Sequence, residues 1–192
     1  MASHVPRRKS LRPSGRSLRV ILRTIRLFAT DVDGVLTDAG MYYSESGDEL
    51  KKFNTRDGMG IKLLQKAGLM TAIVTQESTK LVTRRGQKLG IPEVHQGVYD
   101  KLAVLRELAD RYGWTMEQVA YMGDDVNDLE ALKAAGLSAA PADAVPSVLA
   151  AVRYRCRKKG GEGAVREVAD MILSAQTTHE PKRTGVNKRG AL

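Results

Sequence analysis

The stretch Ile25-Arg26-Leu27-Phe28-Ala29-Thr30-Asp31-Val32-Asp33-Gly34-Val35-Leu36-Thr37-Asp38 constrains this chain more than any other. An apolar, β-prone run stops at two carboxylates spaced i, i+2, and a glycine follows. Side chains alternate along extended backbone, so two acids that address one point must be separated by one residue. In an open parallel sheet, ligands bind just beyond the carboxyl ends of the strands. Asp31 and Asp33 are expected at such an end, with Gly34 free to turn the chain away at once.

The remainder alternates strand and helix signals. A strand over residues 25–30 is followed by two short β-prone runs around Ser44-Glu45-Ser46-Gly47-Asp48, which read as a hairpin within residues 40–53. Met59, Ile61, Leu63, Leu64 and Ala67 form the stripe of a helix that Gly68 ends. The continuous apolar run 69–74 suits a buried parallel strand that ends at Thr75, and a helix follows through Leu89. A weak strand over 94–98 leads to Asp100, which caps a helix carrying Leu102, Leu105 and Leu108. Residues 119–123 form the next strand and deliver Asp124 and Asp125 at its tip. A helix over 127–135, a strand over 137–140, a helix over 146–152, a glycine-rich turn and a last helix from Ala164 complete the chain. This alternation predicts a doubly wound α/β fold, a Rossmann-like three-layer sandwich with a parallel sheet and a small β-hairpin flap. No insertion is long enough for a separate cap domain.

The candidate functional groups all fall at strand ends: Asp31 and Asp33, then Thr75, then Asp124 and Asp125, with Lys101 at a helix start in the same layer. Taken singly, Thr75 or Lys101 would read as a cap or a solvated side chain, and Asp128 as the cap of helix 127–135. Their ordered recurrence shifts the balance towards one shared site.

These fragments resemble the haloacid dehalogenase-type phosphotransferases. The likeness runs through Asp31-Val32-Asp33-Gly34, Ile73-Val74-Thr75, Asp100-Lys101 and Gly123-Asp124-Asp125-Val126-Asn127-Asp128. Two further segments, Phe53-Asn54-Thr55-Arg56-Asp57-Gly58 and Lys159-Gly160-Gly161-Glu162-Gly163-Ala164-Val165-Arg166-Glu167, are similar to the capless branch that dephosphorylates 2-keto-3-deoxy sugar acids. The resemblance covers residues 24–176. It implies that Asp31 is the nucleophile and Asp33 the general acid/base. It also implies Mg²⁺ held by Asp31, Asp124 and the main-chain carbonyl of Asp33, with Asp125 and Asp128 orienting ligands and waters. Lys101 and the Thr75 hydroxyl would bind the transferring phosphoryl oxygens. In that branch flaps associate between subunits, which implies a homotetramer.

The substrate implied is octulosonate 8-phosphate or nonulosonate 9-phosphate. After Thr75 the chain reads Gln76-Glu77, where the eight-carbon branch carries Gly-Arg and the nine-carbon branch Gly-Glu. Glu77 therefore leans towards the nine-carbon acids, with Arg85 and Lys88 at positions that face substrate in that branch. Glu77 and Lys88 are expected on one helix, about three turns apart. Gln76 departs from the glycine of both patterns.

Charge is distributed unevenly. The net charge is +9 over 192 residues, of which residues 1–23 hold seven Arg/Lys and no acid, and residues 177–192 four Arg/Lys against Glu180. The body between them is nearly neutral. Both ends read as disordered basic arms, so nucleic-acid binding is disfavoured. Residues 1–23 lack the apolar core of a secretory signal, although an Arg- and Ser-containing, acid-free stretch also has the composition of a mitochondrial presequence. No apolar run approaches the roughly 20 residues of a membrane span. One cysteine, Cys156, excludes an internal disulfide and reads as a small buried hydrophobe in a reducing, cytoplasmic compartment.

Two other functional classes are open to such a chain. A phosphoaspartate receiver would place its acidic pair first and its phosphoacceptor later, the reverse of the order here. A non-catalytic assembly domain, like the phosphatase-like module fused to some acylneuraminate cytidylyltransferases, would not need the full set of catalytic residue types.

Overall fold

In a computed structural model, residues 17–177 are described. The elements run α1 (Leu18–Thr24), β1 (Leu27–Thr30), β2 (Tyr42–Tyr43), β3 (Glu49–Leu50), α2 (Thr55–Lys66), β4 (Met70–Val74), α3 (Lys80–Leu89) and β5 (Glu93–His95). They continue with α4 (Lys101–Arg111), β6 (Val119–Met122), α5 (Leu129–Ala134), β7 (Leu137–Ala140), α6 (Pro146–Ala151), β8 (Tyr154–Arg155) and α7 (Ala164–Thr177). Six parallel strands form one sheet in the order β5-β4-β1-β6-β7-β8. The chain moves outward from β1 to one edge, returns beside β1 as β6, and moves outward to the other edge. The strand order reverses between β1 and β6, where an open α/β sheet leaves a crevice for ligand.

Side-chain alternation splits the interior in two. Phe28, Ile73, Ala120 and Met122 join α1, α2, α3 and α7 on one face; Leu27, Ala29, Ala72, Val74, Val119 and Tyr121 join α4, α5 and α6 on the other. The central strands β1, β4, β6 and β7 are almost wholly buried, which is why their sequences are mostly apolar, with Thr71 and Ser138 enclosed among the apolar residues. The hairpin β2–β3 stands apart as a two-stranded ribbon, and an isolated bridge between Thr37 and Phe53 closes its base. Among the described residues no separate cap domain covers the crevice.

Two sequence expectations need correction. The expected basic arm spans residues 1–23, yet Leu18–Thr24 is helical, with Ile21 and Leu22 buried. The apolar residues of that run pack on α7, and Gln176 Nε2 donates to the carbonyls of Leu22 (3.3 Å) and Ile25 (3.0 Å). Its residues 1–16, and residues 178–192 of the expected C-terminal arm, lie outside the described residues. The second correction concerns α3. It begins at Lys80 with Thr79 as its cap, so Glu77 lies in the preceding loop and shares no helix face with Lys88. No sequence signal marks the edge strand β8. Its two residues lack any alternating pattern, and they pair with β7.

Candidate active site

Three neighbouring strands end in the same crevice. β1 delivers Asp31 and Asp33, β4 delivers Thr75, and β6 delivers Asp124 through Gly123. The Asp31 amide donates to the Met122 carbonyl (2.9 Å), so β1 and β6 stay paired up to the first functional residue. Gly34 then takes φ +74°, and a Cβ there would meet Asp124 Oδ2 at 2.0 Å. Only glycine lets the backbone after Asp33 lie against that carboxylate. A cleft of about 370 Å³ opens here, lined by Asp31, Asp33, Met41, Thr75, Gln76, Glu77, Tyr99 and Asn127.

Asp128 organises the floor. It is fully buried; its Oδ1 accepts from Lys101 Nζ (2.6 Å) and the Tyr121 hydroxyl (2.7 Å), and its Oδ2 from the Asp124 (2.9 Å) and Asp125 (3.3 Å) amides. Four donors fill the acceptor capacity of one carboxylate. The same buried ammonium of Lys101 donates to Asp31 Oδ2 at 2.5 Å, and the Val32 amide donates to Asp31 Oδ1 at 2.7 Å. Lys101 thereby ties the end of β1 to the turn after β6. Burial alone would lower its pKa, but the two carboxylates hold it above the ordinary lysine value.

The acids themselves are shifted up. Burial, then the Asp128 charge, raises Asp31 to about 6 against the pull of Lys101. Burial and the neighbouring Asp31, Asp128 and Asp125 raise Asp124 to about 8. Carboxylate oxygens of Asp31, Asp124 and Asp128 lie within 4.8 Å of one another. Crowded, partly desolvated carboxylates with this little compensation fit a hard divalent cation such as Mg²⁺, which takes oxygen ligands. Asp128 already has its four donors, so Asp31 and Asp124 are the side chains with capacity to spare.

The remaining sequence candidates fall into two groups. Asp125 is exposed, and its carboxylate caps its own turn by accepting from the Val126 amide at 2.6 Å. Thr75 is buried at the cleft, its backbone held by His95 and Val98. Glu77 lines the cleft mouth, but Lys88 is exposed on α3 and Arg85 faces another way. Arg85 Nη2 donates to the Asn54 carbonyl (2.9 Å), and its guanidinium lies 5.2 Å over the Phe53 ring. Cys156 is buried, and burial pushes its thiol up to about 12, which leaves no thiolate at neutral pH.

Two groups went unnoticed in the sequence. Lys51 brings a side chain only 1% exposed onto Asp33 and Glu77. Tyr121 supplies a buried hydroxyl to Asp128. Lys51 sits in a Lys-Lys pair that reads as hairpin surface, and Tyr121 in an apolar strand. Neither carries a local signal.

Residues 70–168 match the family model described as haloacid dehalogenase-like hydrolase. The chain is 47% identical over 152 residues to the 3-deoxy-D-manno-octulosonate 8-phosphate phosphatase of Yersinia pestis, covering 79% of this chain and 81% of that one. The corresponding phosphatase of Moraxella catarrhalis was solved in complex with magnesium, phosphate and a KDO molecule. It superposes with a TM-score of 0.81 at 39% identity, covering 83% of this chain and 92% of that one. The cobalt-bound enzyme of Haemophilus influenzae gives a TM-score of 0.78 at 42% identity, covering 82% and 92%.

Proposed function

Given that this chain belongs to the haloacid dehalogenase-like hydrolases and is a phosphoric monoester hydrolase, we propose that it releases phosphate from a phosphorylated 2-keto-3-deoxy sugar acid in a Mg²⁺-dependent reaction. The observation that carries this reading is the meeting of Asp31 with Lys101 and Asp124 beside one cleft, which Asp31 and Asp33 line. Phosphate monoesters resist hydrolysis, so the barrier reduction required is very large. A carboxylate nucleophile divides the reaction into two easier displacements.

Asp31 attacks phosphorus and carries the phosphoryl group as an aspartyl phosphate. Asp33, at the cleft wall, donates a proton to the departing sugar oxygen and later takes one from the attacking water. Lys101, rigid between two carboxylates, presents fixed positive charge to the transferring oxygens, and Thr75, which lines the cleft, is the neutral donor. Asp128 keeps Lys101 and the turn bearing Asp124 in place. Asp31, Asp124 and the Asp33 main-chain carbonyl would hold the Mg²⁺, which when bound offsets the repulsion between an anionic nucleophile and an anionic phosphate.

The relatives named above act on the eight-carbon octulosonate 8-phosphate, and their identity to this chain supports that substrate first. Glu77, the residue that favours a nine-carbon acid, has its carboxylate engaged by Lys51, which weakens that lean without removing the nine-carbon ester as the alternative. Exposed Met41, Tyr42, Tyr43 and Leu50 on the hairpin are compatible with a homotetramer. No helix among the described residues is long and apolar enough to cross a membrane, and we place the enzyme in the cytoplasm. The reading as a non-catalytic assembly module has no observation in its favour.

The test is phosphate release from both sugar-acid esters with Mg²⁺ saturating, in the wild type and in Asp31→Asn. The wild type should prefer one of these esters to generic phosphates. The variant should keep its fold and lose at least three orders of magnitude in kcat. Near-wild-type turnover in the variant would overturn the assignment of the nucleophile.

A further inference from the structure

The hairpin reaches into the cleft through one buried cation. Lys51 follows β3 directly and precedes the Thr37–Phe53 bridge that closes the hairpin base. Its Nζ donates to Asp33 Oδ1 at 2.7 Å and to Glu77 Oε2, and Glu49 Oε1 lies 3.7 Å away. The three carboxylates are each about one-third exposed, whereas the lysine side chain is 1% exposed. Among the described residues, Lys51 is the one cation within ion-pair distance of Asp33. Lys101, the other buried cation of the cleft, is committed to Asp31 and Asp128.

Asp33 and Glu77 come from different strand ends, β1 and β4, and line the same cleft. Two carboxylates brought together this way repel, and the repulsion is strongest where water is scarce. The Thr37 hydroxyl gives Asp33 Oδ1 one long hydrogen bond of 3.3 Å, which is too weak to hold it against Glu77. The fixed ammonium between them offsets part of the repulsion, since close contact with Asp33 still holds the Glu77 carboxyl above its ordinary value, and it sets the direction of the Asp33 carboxylate.

We propose that Lys51 is a positioning residue for proton transfer, bridging Asp33 and Glu77 so that Asp33 stays aimed at the leaving oxygen. The proposal rests on the acid/base role given to Asp33 above. It makes the hairpin part of the chemistry as well as part of the cleft wall. It also makes Glu77 the residue that renders Lys51 necessary. With Lys51 gone and Glu77 present, Asp33 is pushed away from its productive position. With both gone, only Glu49 of the two neighbouring carboxylates remains, so the Thr37 contact has less opposing charge to overcome.

A double-mutant cycle tests this, with kcat and KM measured on p-nitrophenyl phosphate and on octulosonate 8-phosphate, and folding checked by circular dichroism. A misplacement of about 1 Å costs roughly 10²-fold, so K51M should lower kcat by about that factor on both substrates with KM on the aryl phosphate nearly unchanged. K51R, which keeps the charge, should retain most of the activity. K51M/E77Q should recover at least about tenfold over K51M, a coupling that a merely structural lysine would not produce. Wild-type kcat in folded K51M, or no recovery in the double variant, overturns the proposal. If K51M does not fold, K51Q replaces it in the same cycle with the same two criteria. D33N is measured alongside: an active D33N rejects the acid/base role itself, whereas an inactive D33N with an unimpaired K51M rejects only the role of Lys51.

Discussion

Gly160 gives the sharpest perturbation of the site from outside it. The glycine-rich segment before α7 lies against the loop that follows β1. The Gly161 amide donates to the Val35 carbonyl (3.1 Å), Asn54 Nδ2 to the Gly161 carbonyl (3.0 Å), and the Gly160 amide to Asp143 Oδ1 (3.0 Å). A Cβ on Gly160 would stand 2.0 Å from the Gly34 carbonyl oxygen and 2.8 Å from that of Thr37. Ordinary contact begins at 3.4 Å, so one backbone must retreat by about 1.4 Å from the other. Neither obstacle is a side chain that could swing aside. Gly160 does not have a left-handed backbone, so Gly160→Ala adds bulk without dihedral strain. Overpacking of this kind costs about 1–3 kcal/mol, or a fall in Tm of several degrees. The loop displaced carries Asp33 and Gly34, and a shift of about 1 Å there should lower kcat/KM by about 10²-fold. Gly113→Ala is the control. At φ +69° with nothing within 4 Å, it introduces strain alone, about 1 kcal/mol, far from the cleft. Phosphate release and thermal melts on both variants separate stability from geometry. A folded Gly160→Ala enzyme with wild-type kcat/KM would refute the idea that this segment braces the β1 loop.

The remaining predictions concern the buried charges. Asp128→Ala leaves Lys101 with Asp31 alone and strips two amides of their acceptor, so it should destabilise by about 3–5 kcal/mol and lower Tm by roughly 10 °C, read by calorimetry. Retained Tm would mean that the Asp128 network contributes little. Asp31 and Asp124 are raised in the folded protein to about 6 and about 8 from 3.8, so the metal-free fold holds protons that the unfolded chain has lost. Their contribution is favourable at low pH and is lost as pH rises from about 4 through about 8, so the Tm of the metal-free protein should fall across that window. Added Mg²⁺ should raise Tm more at pH 8 than at pH 5, because binding requires deprotonated ligands. An equal rise at both pH values would count against cation binding by these two acids.

What the sequence by itself determined is local. Asp31 and Asp33 could be assigned to a strand end because the apolar run, the i, i+2 spacing and the glycine lie within ten residues. The parallel sheet followed from mostly apolar strands alternating with helical stripes, and Asp100 as a cap from its place before Lys101. Tertiary structure decided everything that depends on approach between distant segments. Ile21 and Leu22 became core only because α7 offers them a surface some 150 residues later. Lys101 meets Asp31 across 70 residues, and Lys51 meets Glu77 across 26, although no periodicity relates either pair. A charged side chain carries no sequence mark of whether it will be solvated or enclosed. That depends on which carboxylates the fold brings within 3 Å of it, and hence on the order of strands in the sheet.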